Sequence, residues 1–431
     1  MKRMAMITLV IAVLAMTSCG VVEEMNNRRS PGVAVASEKE RVSPTVSSGT
    51  MVELVEGNSA FAFELYQLLA EEQAGRNLFY SPYSISLALA MTYAGARGET
   101  EEQMADALRF ALPQNELHPA LNALDQELAQ RGEGAEGKDG EGFRLNIANA
   151  IWGQKDYTFR DAFLDVLAEN YGAGLRVLDF AAAPEEARTM INDWVSDETE
   201  GKIENLIPRQ ALGPLTRLVL TNAIYFNAAW ANTFEEAATQ EAPFARLDGS
   251  EVTVPLMRQT ESFGYAEGDG YQAVELPYDG REMSMVILLP DRERFETFEN
   301  TLDGQEVQRI IEDLTYRQVA LSMPRFEFDS AFSLNEALRE LGMPDAFSAA
   351  ADFSGMTGGK DLFISDVLHK AFVSVDEEGT EAAAATAVIM AESAMPTEPV
   401  EFTADHPFVF LIRDVKTGAV LFVGRVVDPS A

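Results

Sequence analysis

The stretch DEEGTEAAAATAVIMAESAMPTEP, residues 376–399, decides the fold. Because alanine has the highest helix propensity, an alanine-rich helix is the first interpretation to consider. However, Gly379 interrupts the run, Val388 and Ile389 are β-branched, and Pro396 prevents continuation. The apolar residues also fail to form the stripe that an amphipathic helix needs. The sequence therefore favours an extended segment over a helix.

Read as a strand, this segment presents small residues to any neighbour. Successive side chains of a strand point to opposite faces. One face carries Thr380, Ala382, Ala384 and Thr386, and the other carries Glu381, Ala383 and Ala385. Every residue that would be buried is small and uncharged. Such a segment can stay exposed and still slide between two strands without a steric or desolvation penalty.

Segments throughout the chain share the pattern of one known family. They are EEGTEAAAATA at 377–387, NLFYSPYSISLALAMTYAGARGETEEQM at 77–104, ANAIWGQ at 148–154, INDWVSDETEGKI at 191–203, LTNAIYFNAAW at 220–230, ISDVLHKAFVSVDEEGT at 364–380, HPFVFLIRD at 406–414 and LFVGRVVDP at 421–429. Together they resemble the serpin family of protease inhibitors over about residues 51–429. The resemblance implies an α+β fold of three β-sheets with eight or nine helices and an exposed reactive loop, in one domain at 51–431.

Composition and motifs argue against several other functions. The formal charge of −36 disfavours general electrostatic binding to nucleic acid or anionic lipid. The three histidines, His118, His369 and His406, lack metal-ligand spacing, and no nucleophile elbow or phosphate loop occurs. The glycines at 132, 134 and 137 match GxGxxG, but no apolar strand precedes them. We expect an inhibitor and not an enzyme, with no cofactor and no metal.

The N-terminus has the pattern of an export signal. Lys2 and Arg3 precede an apolar run, and Cys19 follows small polar residues. The pattern resembles a bacterial lipoprotein signal in which Cys19 is lipidated, although Met16 replaces the usual leucine; a plain secretory signal is the alternative. We therefore predict a signal peptide at 1–18, a flexible tether at 19–50, and a protein anchored to the cell envelope through its lipid or secreted. Cys19 is the only cysteine, so no intrachain disulfide is possible.

The resemblance implies roles for five buried residues. Those that match the shutter, where the large sheet must part, are Ser81, Ser84, Asn222 and His369. Trp230 matches the tryptophan of the breach at the top of the sheet. If these residues had only a structural role, the first four would form a buried cluster with satisfied hydrogen bonds, and Trp230 would be an aromatic residue of the core. Asn227 and Ala228 stand where the family usually has Lys-Gly, a departure that affects only a turn.

Two functions follow from the resemblance. In the first, a serine or cysteine protease cuts the loop, stays covalently bound, and is carried away as the loop inserts. About fourteen residues at roughly 3.3 Å each would move it about 45 Å. In the second, a non-inhibitory serpin acts as a binder, storage protein or chaperone. Such members typically carry charged, bulky or proline residues that interrupt the hinge. The hinge of this chain comprises Glu377, Gly379 and the residues from Thr380 to Thr386, and it has no such interruption. The sequence favours a monomeric inhibitor.

The bait bond, the bond that the protease attacks, is predicted to be Ser393–Ala394. Counting forward from Glu377 and backward from Phe402 and Pro407 leads to the same residue. A small residue before the cut fits the shallow specificity pocket of elastase-like and some subtilisin-like enzymes. Alternative cleavage sites follow Glu392, Met390 and Met395.

The sequence also predicts that no heparin-like polyanion accelerates inhibition. Some serpins use a basic surface near their fourth helix. The corresponding span, 114–142, contains only Arg131 and Lys138 as cations against seven carboxylates. Sulfated chains should be repelled.

Overall fold

The computed structural model describes residues 32–132, 144–380 and 398–431. The α-helices of this part are α1 (Ser48–Glu72), α2 (Pro82–Tyr93), α3 (Gly98–Ala107), α4 (Gln114–Leu128), α5 (Asp161–Tyr171), α6 (Pro184–Glu198), α7 (Phe295–Glu299), α8 (Gly304–Glu312), α9 (Asn335–Glu340) and α10 (Ser354–Thr357). Two 3-10 helices span Glu236–Ala238 and Asp345–Phe347.

Sixteen strands accompany these helices in the described residues. They are β1 (Val33–Val35), β2 (Leu78–Tyr80), β3 (Arg144–Gln154), β4 (Leu175–Leu178), β5 (Leu218–Ala229), β6 (Gln240–Ala245), β7 (Glu251–Gly268), β8 (Tyr271–Pro277), β9 (Met283–Pro290), β10 (Thr315–Pro324), β11 (Phe326–Ser333), β12 (Ile364–Val375), β13 (Gly379–Thr380), β14 (Val400–Thr403), β15 (Phe408–Asp414) and β16 (Val420–Val426). They form a seven-stranded sheet in the order β1-β4-β3-β5-β13-β12-β11 and a nine-stranded sheet in the order β14-β10-β7-β8-β9-β15-β16-β2, with β6 on β7.

The seven-stranded sheet is covered on both faces at its centre. Helix α2 is buried at every position, which is the pattern of a helix inside a large core. Ser81 caps its N-terminus by accepting a hydrogen bond from the Ser84 amide, and Pro82 occupies the first turn, where its missing N–H costs nothing. On the opposite face, Trp194 and Val195 of α6 pack in one cluster with strand residues. This double cover explains why β5 is a nearly continuous buried run.

The expected α+β architecture is confirmed, although the elements group differently. Strand β7 is eighteen residues long and pairs with β6, β10 and β8 in turn. It thereby joins strands that would otherwise make separate sheets, so the described strands form two hydrogen-bonded sheets and not three. The described residues contain ten α-helices, more than the eight or nine expected, because α7 and α10 are separate helices of only five and four residues.

Residues 32–50, which belong to the segment predicted to be a tether, make contacts with the folded domain. Strand β1 adds to the edge of the seven-stranded sheet, antiparallel to β4. Arg41 donates to Asn122 Oδ1 over 2.8 Å and pairs with Asp125 over 2.6 Å, both on α4. Helix α1 begins at Ser48, within the segment predicted to be a tether. The edge strand and the ion pair could not be predicted from the sequence, because neither requires a hydrophobic repeat. No helix in the described ranges is both long and apolar enough to cross a bilayer.

Candidate functional site

The centre of the seven-stranded sheet contains a junction that we call the seam, the boundary between β5 and β12. These strands pair directly and in parallel from Leu218 opposite Ile364 to Tyr225 opposite Phe372. Beyond that last pair the strands diverge, and the two-residue strand β13 lies between them. The sheet is therefore closed along most of the seam and parted at one end.

Strand β13 is antiparallel to both of its neighbours. Gly379 lies opposite Ala229 and Thr380 opposite Ala228 on β5, while Thr380 also lies opposite Val375 on β12. A Cβ atom at Gly379 would lie only 2.2 Å from the Ala228 carbonyl oxygen, so the narrow opening requires glycine here. The predicted hinge residues Gly379 and Thr380 thus occupy the parted end of the seam.

The side chain of Thr380 is fully buried beneath this opening. Its hydroxyl shares a 2.9 Å hydrogen bond with the phenol of Tyr278. Trp230, the predicted breach residue, stacks on Tyr278 with ring centroids 4.7 Å apart. The indole of Trp230 donates to the Asp376 carbonyl over 3.0 Å. Trp230 therefore acts as more than a core aromatic, because it holds the backbone that leads into β13.

Glu377 anchors the same backbone through its side chain. Thr239 donates to one carboxylate oxygen over 2.6 Å, and Arg325 pairs with the other over 2.5 Å. Burial pushes the pKa of Glu377 upward, but the hydrogen bond from Thr239 and the guanidinium of Arg325 outweigh burial and hold the pKa below its ordinary value. The carboxylate is thus ionised at neutral pH and keeps the hinge fixed to its surroundings.

The four predicted shutter residues lie together lower in the seam. His369 lies opposite Asn222 across the junction, and its Nδ1–H donates to the Asn222 amide oxygen. The Ser81 amide donates to Nε2 of His369 over 3.3 Å, and Asn222 donates to Ser84 Oγ over 2.5 Å. Burial lowers the pKa of His369 to about 3, so the ring is neutral and can accept one hydrogen bond while it donates the other.

Asn149 belongs to the same cluster and was not among the predicted residues. It lies opposite Asn222 on β3, so one row of the sheet reads Asn149, Asn222 and His369. Its amide oxygen accepts from Asn222, and its amide nitrogen donates to the Ser84 carbonyl over 3.0 Å. The available signal was a polar side chain near the middle of β3, at the second position of the segment ANAIWGQ. The register that aligns it with Asn222 is not readable from sequence.

Several predicted residues lie outside the described ranges. They are Cys19, the hinge residues Glu381, Ala382, Ala383, Ala384, Ala385 and Thr386, and the bait residues Ser393 and Ala394. Among the described residues, no group of three or more His, Cys, Asp or Glu side chains is arranged to hold a metal ion.

Arg131 does not contribute a basic surface on the fourth helix. It follows α4, its side chain is only 5% exposed, and its Nε lies 2.6 Å from Asp414 Oδ1. Glu127 accepts a second bond from the same guanidinium over 3.1 Å. A buried and fully paired cation is not available to a polyanion.

Comparisons with known proteins agree on one family. The sequence profile named "Serpin (serine protease inhibitor)" matches residues 56–429. The chain belongs to the serpin family. It is 37% identical to an uncharacterised serpin-like protein of Thermococcus kodakarensis, with all of both chains covered. It is 43% identical to the leukocyte elastase inhibitor of Bos taurus, with 88% of this chain and all of the relative covered.

A solved structure supports the same assignment. The native-state crystal structure of tengpin, a thermophilic serpin, matches with a TM-score of 0.81 at 29% identity, covering 93% of this chain and all of tengpin. The predicted family and fold are therefore confirmed. Membership among serpin homologues supports a serine protease inhibitor and not an enzyme.

Proposed function

We propose that this serpin is a suicide inhibitor of serine proteases that works by inserting its cleaved reactive loop into the seam. The observation that carries the proposal is β13, which already lies between β5 and β12 and is antiparallel to both. A loop that continued this strand would replace one parallel junction with two antiparallel junctions. Antiparallel pairing is slightly more stable per residue, and it would be formed on both sides of the new strand.

The register of β13 predicts which residues an inserting loop would meet. Thr380 lies opposite Ala228 and Val375. Continued antiparallel pairing would place Thr386, six residues later, between Asn222 and His369, the two residues that bond across the closed seam. Thr386 shares the face of Thr380, because residues separated by an even number point to the same side of a strand.

This placement gives the shutter a chemical role in insertion. A strand that enters the seam must break the hydrogen bond between His369 and Asn222. A hydroxyl at position 386 could then accept from His369 Nδ1 and donate to the Asn222 amide oxygen, so neither buried polar group would be left unpaired. An unpaired buried donor or acceptor costs about 1–3 kcal/mol. The polar cluster thus allows the sheet to open and close again with its hydrogen bonds satisfied.

The target class follows from the loop sequence. We propose Ser393–Ala394 as the bait bond, which presents a small residue to an elastase-like or subtilisin-like pocket and gives a trypsin-like pocket no cation. The bovine relative is named leukocyte elastase inhibitor, which supports this choice. We also propose that the protein is exported and acts at the cell envelope or outside the cell, anchored through Cys19 or secreted, as a monomer and without a polyanion cofactor.

The test is covalent trapping. The full chain is incubated with a panel of elastase-like, subtilisin-like, chymotrypsin-like and trypsin-like proteases, and the products are separated by denaturing gel electrophoresis. We expect a band at the summed mass of the protease and the inhibitor without its released C-terminal peptide, with at least one elastase-like or subtilisin-like enzyme. Cleavage of the loop by these enzymes with no such band would overturn the proposal.

A further inference from the structure

The loop that follows α6 crosses the seam on the face opposite the shutter. The ammonium group of Lys202 lies 5.6 Å from the ring centroid of Tyr225 on β5 and 6.0 Å from that of Phe372 on β12. The two rings are themselves neighbours, with centroids 6.4 Å apart. A cation within about 6 Å of an aromatic ring is attracted by the ring's electrons. One cation therefore contacts both sides of the junction.

This contact lies at the point where the seam begins to open. Tyr225 and Phe372 form the last direct pair of β5 with β12 before β13 separates the strands. Any strand that lengthens β13 must part this pair first. Adjacent strands lie about 4.8 Å apart, so a new strand would roughly double the spacing of β5 and β12. Lys202 could then no longer cover both rings.

The backbone holds Lys202 firmly in place. The Lys202 amide donates to the Thr199 carbonyl over 2.9 Å, and the next amide, of Ile203, donates to the Thr199 hydroxyl over 3.1 Å. Ile203 is fully buried in the same cluster as Ala223 of β5 and Leu368 of β12. Lys370 of β12 also donates to the Glu204 carbonyl over 3.4 Å. The loop is thus fixed to both strands of the seam.

We propose that Lys202, Tyr225 and Phe372 form a clasp that keeps the seam closed and sets how readily the reactive loop enters it. The inference rests on the proposed insertion mechanism for its biological meaning. Lys202 is a positioning residue in this scheme, since it touches neither the protease nor the bait. Because Lys202 is an exposed residue, the clasp slows opening by roughly two- to fivefold.

The test is native-state hydrogen exchange of the full chain, followed in peptides from β5 and β12. Lys202→Met keeps the aliphatic stem and removes the charge, whereas Lys202→Arg keeps a cation. The matched control is Arg176→Met, because Arg176 lies 5.6 Å and 5.0 Å from the rings of Trp152 and Trp194, away from the seam. We expect Lys202→Met to raise exchange roughly two- to fivefold, Lys202→Arg to restore it, and Arg176→Met to leave it unchanged.

Two results would overturn the clasp: unchanged exchange in Lys202→Met, or an equal rise in Arg176→Met, which would indicate a general loss of stability. A covalent-trapping assay on the same proteins separates this inference from the proposed function. If the unaltered chain traps no protease, the inhibitor proposal fails, and the exchange ratios still decide whether the clasp holds the seam. If trapping occurs, Lys202→Met should also lose its trapping capacity on storage two to five times faster than the unaltered chain.

Discussion

Replacing Thr380 with arginine separates binding of the protease from trapping. Thr380 is fully buried, and its hydroxyl bonds to Tyr278 over 2.9 Å. In the intact protein an arginine can avoid burial, because β13 is only two residues long and can leave the sheet. The folded state should then lose about 1 kcal/mol, the typical net contribution of a buried hydrogen bond. The fold should survive the change.

Insertion offers no such escape, because position 380 must enter the seam before any later residue. Burying an unpaired cation costs several kcal/mol. If the cost in the rate-limiting step is about 4 kcal/mol, insertion slows about a thousandfold, since each 1.4 kcal/mol is a factor of ten. Trapping requires insertion to be faster than release of the acyl-enzyme. The variant should therefore be cut and released as an ordinary substrate.

The assay compares the covalent complex formed per cleavage in Thr380→Arg, Thr380→Ser and the unaltered chain. Thr380→Ser keeps the hydroxyl and should trap nearly as well as the unaltered chain. Thr380→Arg should give cleaved inhibitor and free, active protease. Undiminished trapping by Thr380→Arg would refute the reasoning that position 380 is buried during insertion.

Three further predictions follow from the described contacts. Arg325→Ala leaves the Glu377 carboxylate buried without its cation, so the spontaneous loss of trapping capacity at pH 7 should be about tenfold faster than in the unaltered chain. Because the folded pKa of Glu377 is lowered, its ion pair with Arg325 is present above the ordinary carboxyl pKa. The unaltered chain should therefore lose trapping capacity as fast as the variant only below about pH 4. Burial, with a smaller contribution from a nearby cation, lowers the pKa of His118 to about 4, so the free energy of unfolding is undiminished by this group above about pH 6.5 and decreases as pH falls towards 4. In denaturant titrations, His118→Gln should remove about 3 kcal/mol of this acid-induced decrease. Parallel pH curves for the variant and the unaltered chain would contradict this prediction. Arg41→Ala should lower the free energy of unfolding by about 1 kcal/mol, whereas a free tether would show no change.

The extended form of the hinge could be predicted from its residues, whereas the shutter residues were implied only by the family resemblance. A run of small residues after a glycine predicts a strand that fits a narrow opening, and this prediction does not depend on the arrangement of the other strands. Ser81, Asn222 and His369 were expected only because they stand in segments that resemble the serpin family. Their hydrogen-bond partners in the structure agree with the buried cluster that the resemblance implied.

Features that depend on register and on charge pairing could not be predicted. Asn149 joins the shutter only because β3 aligns it with Asn222. Lys202 meets the seam only because the loop after α6 returns across two strands that are distant in sequence. The segment at 32–50 is held by hydrogen bonds and ion pairs, which leave no hydrophobic period to detect.

The central claim is that the loop traps its protease at the Ser393–Ala394 bond, and the most direct measurement identifies the cut within a trapped complex. The full chain is reacted with an elastase-like protease that forms the covalent adduct, and the released C-terminal peptide is measured by mass spectrometry. We expect a fragment that begins at Ala394, because the acyl bond should lie at Ser393. A trapped complex whose fragment begins elsewhere, or strong trapping of trypsin with none of elastase, would contradict it.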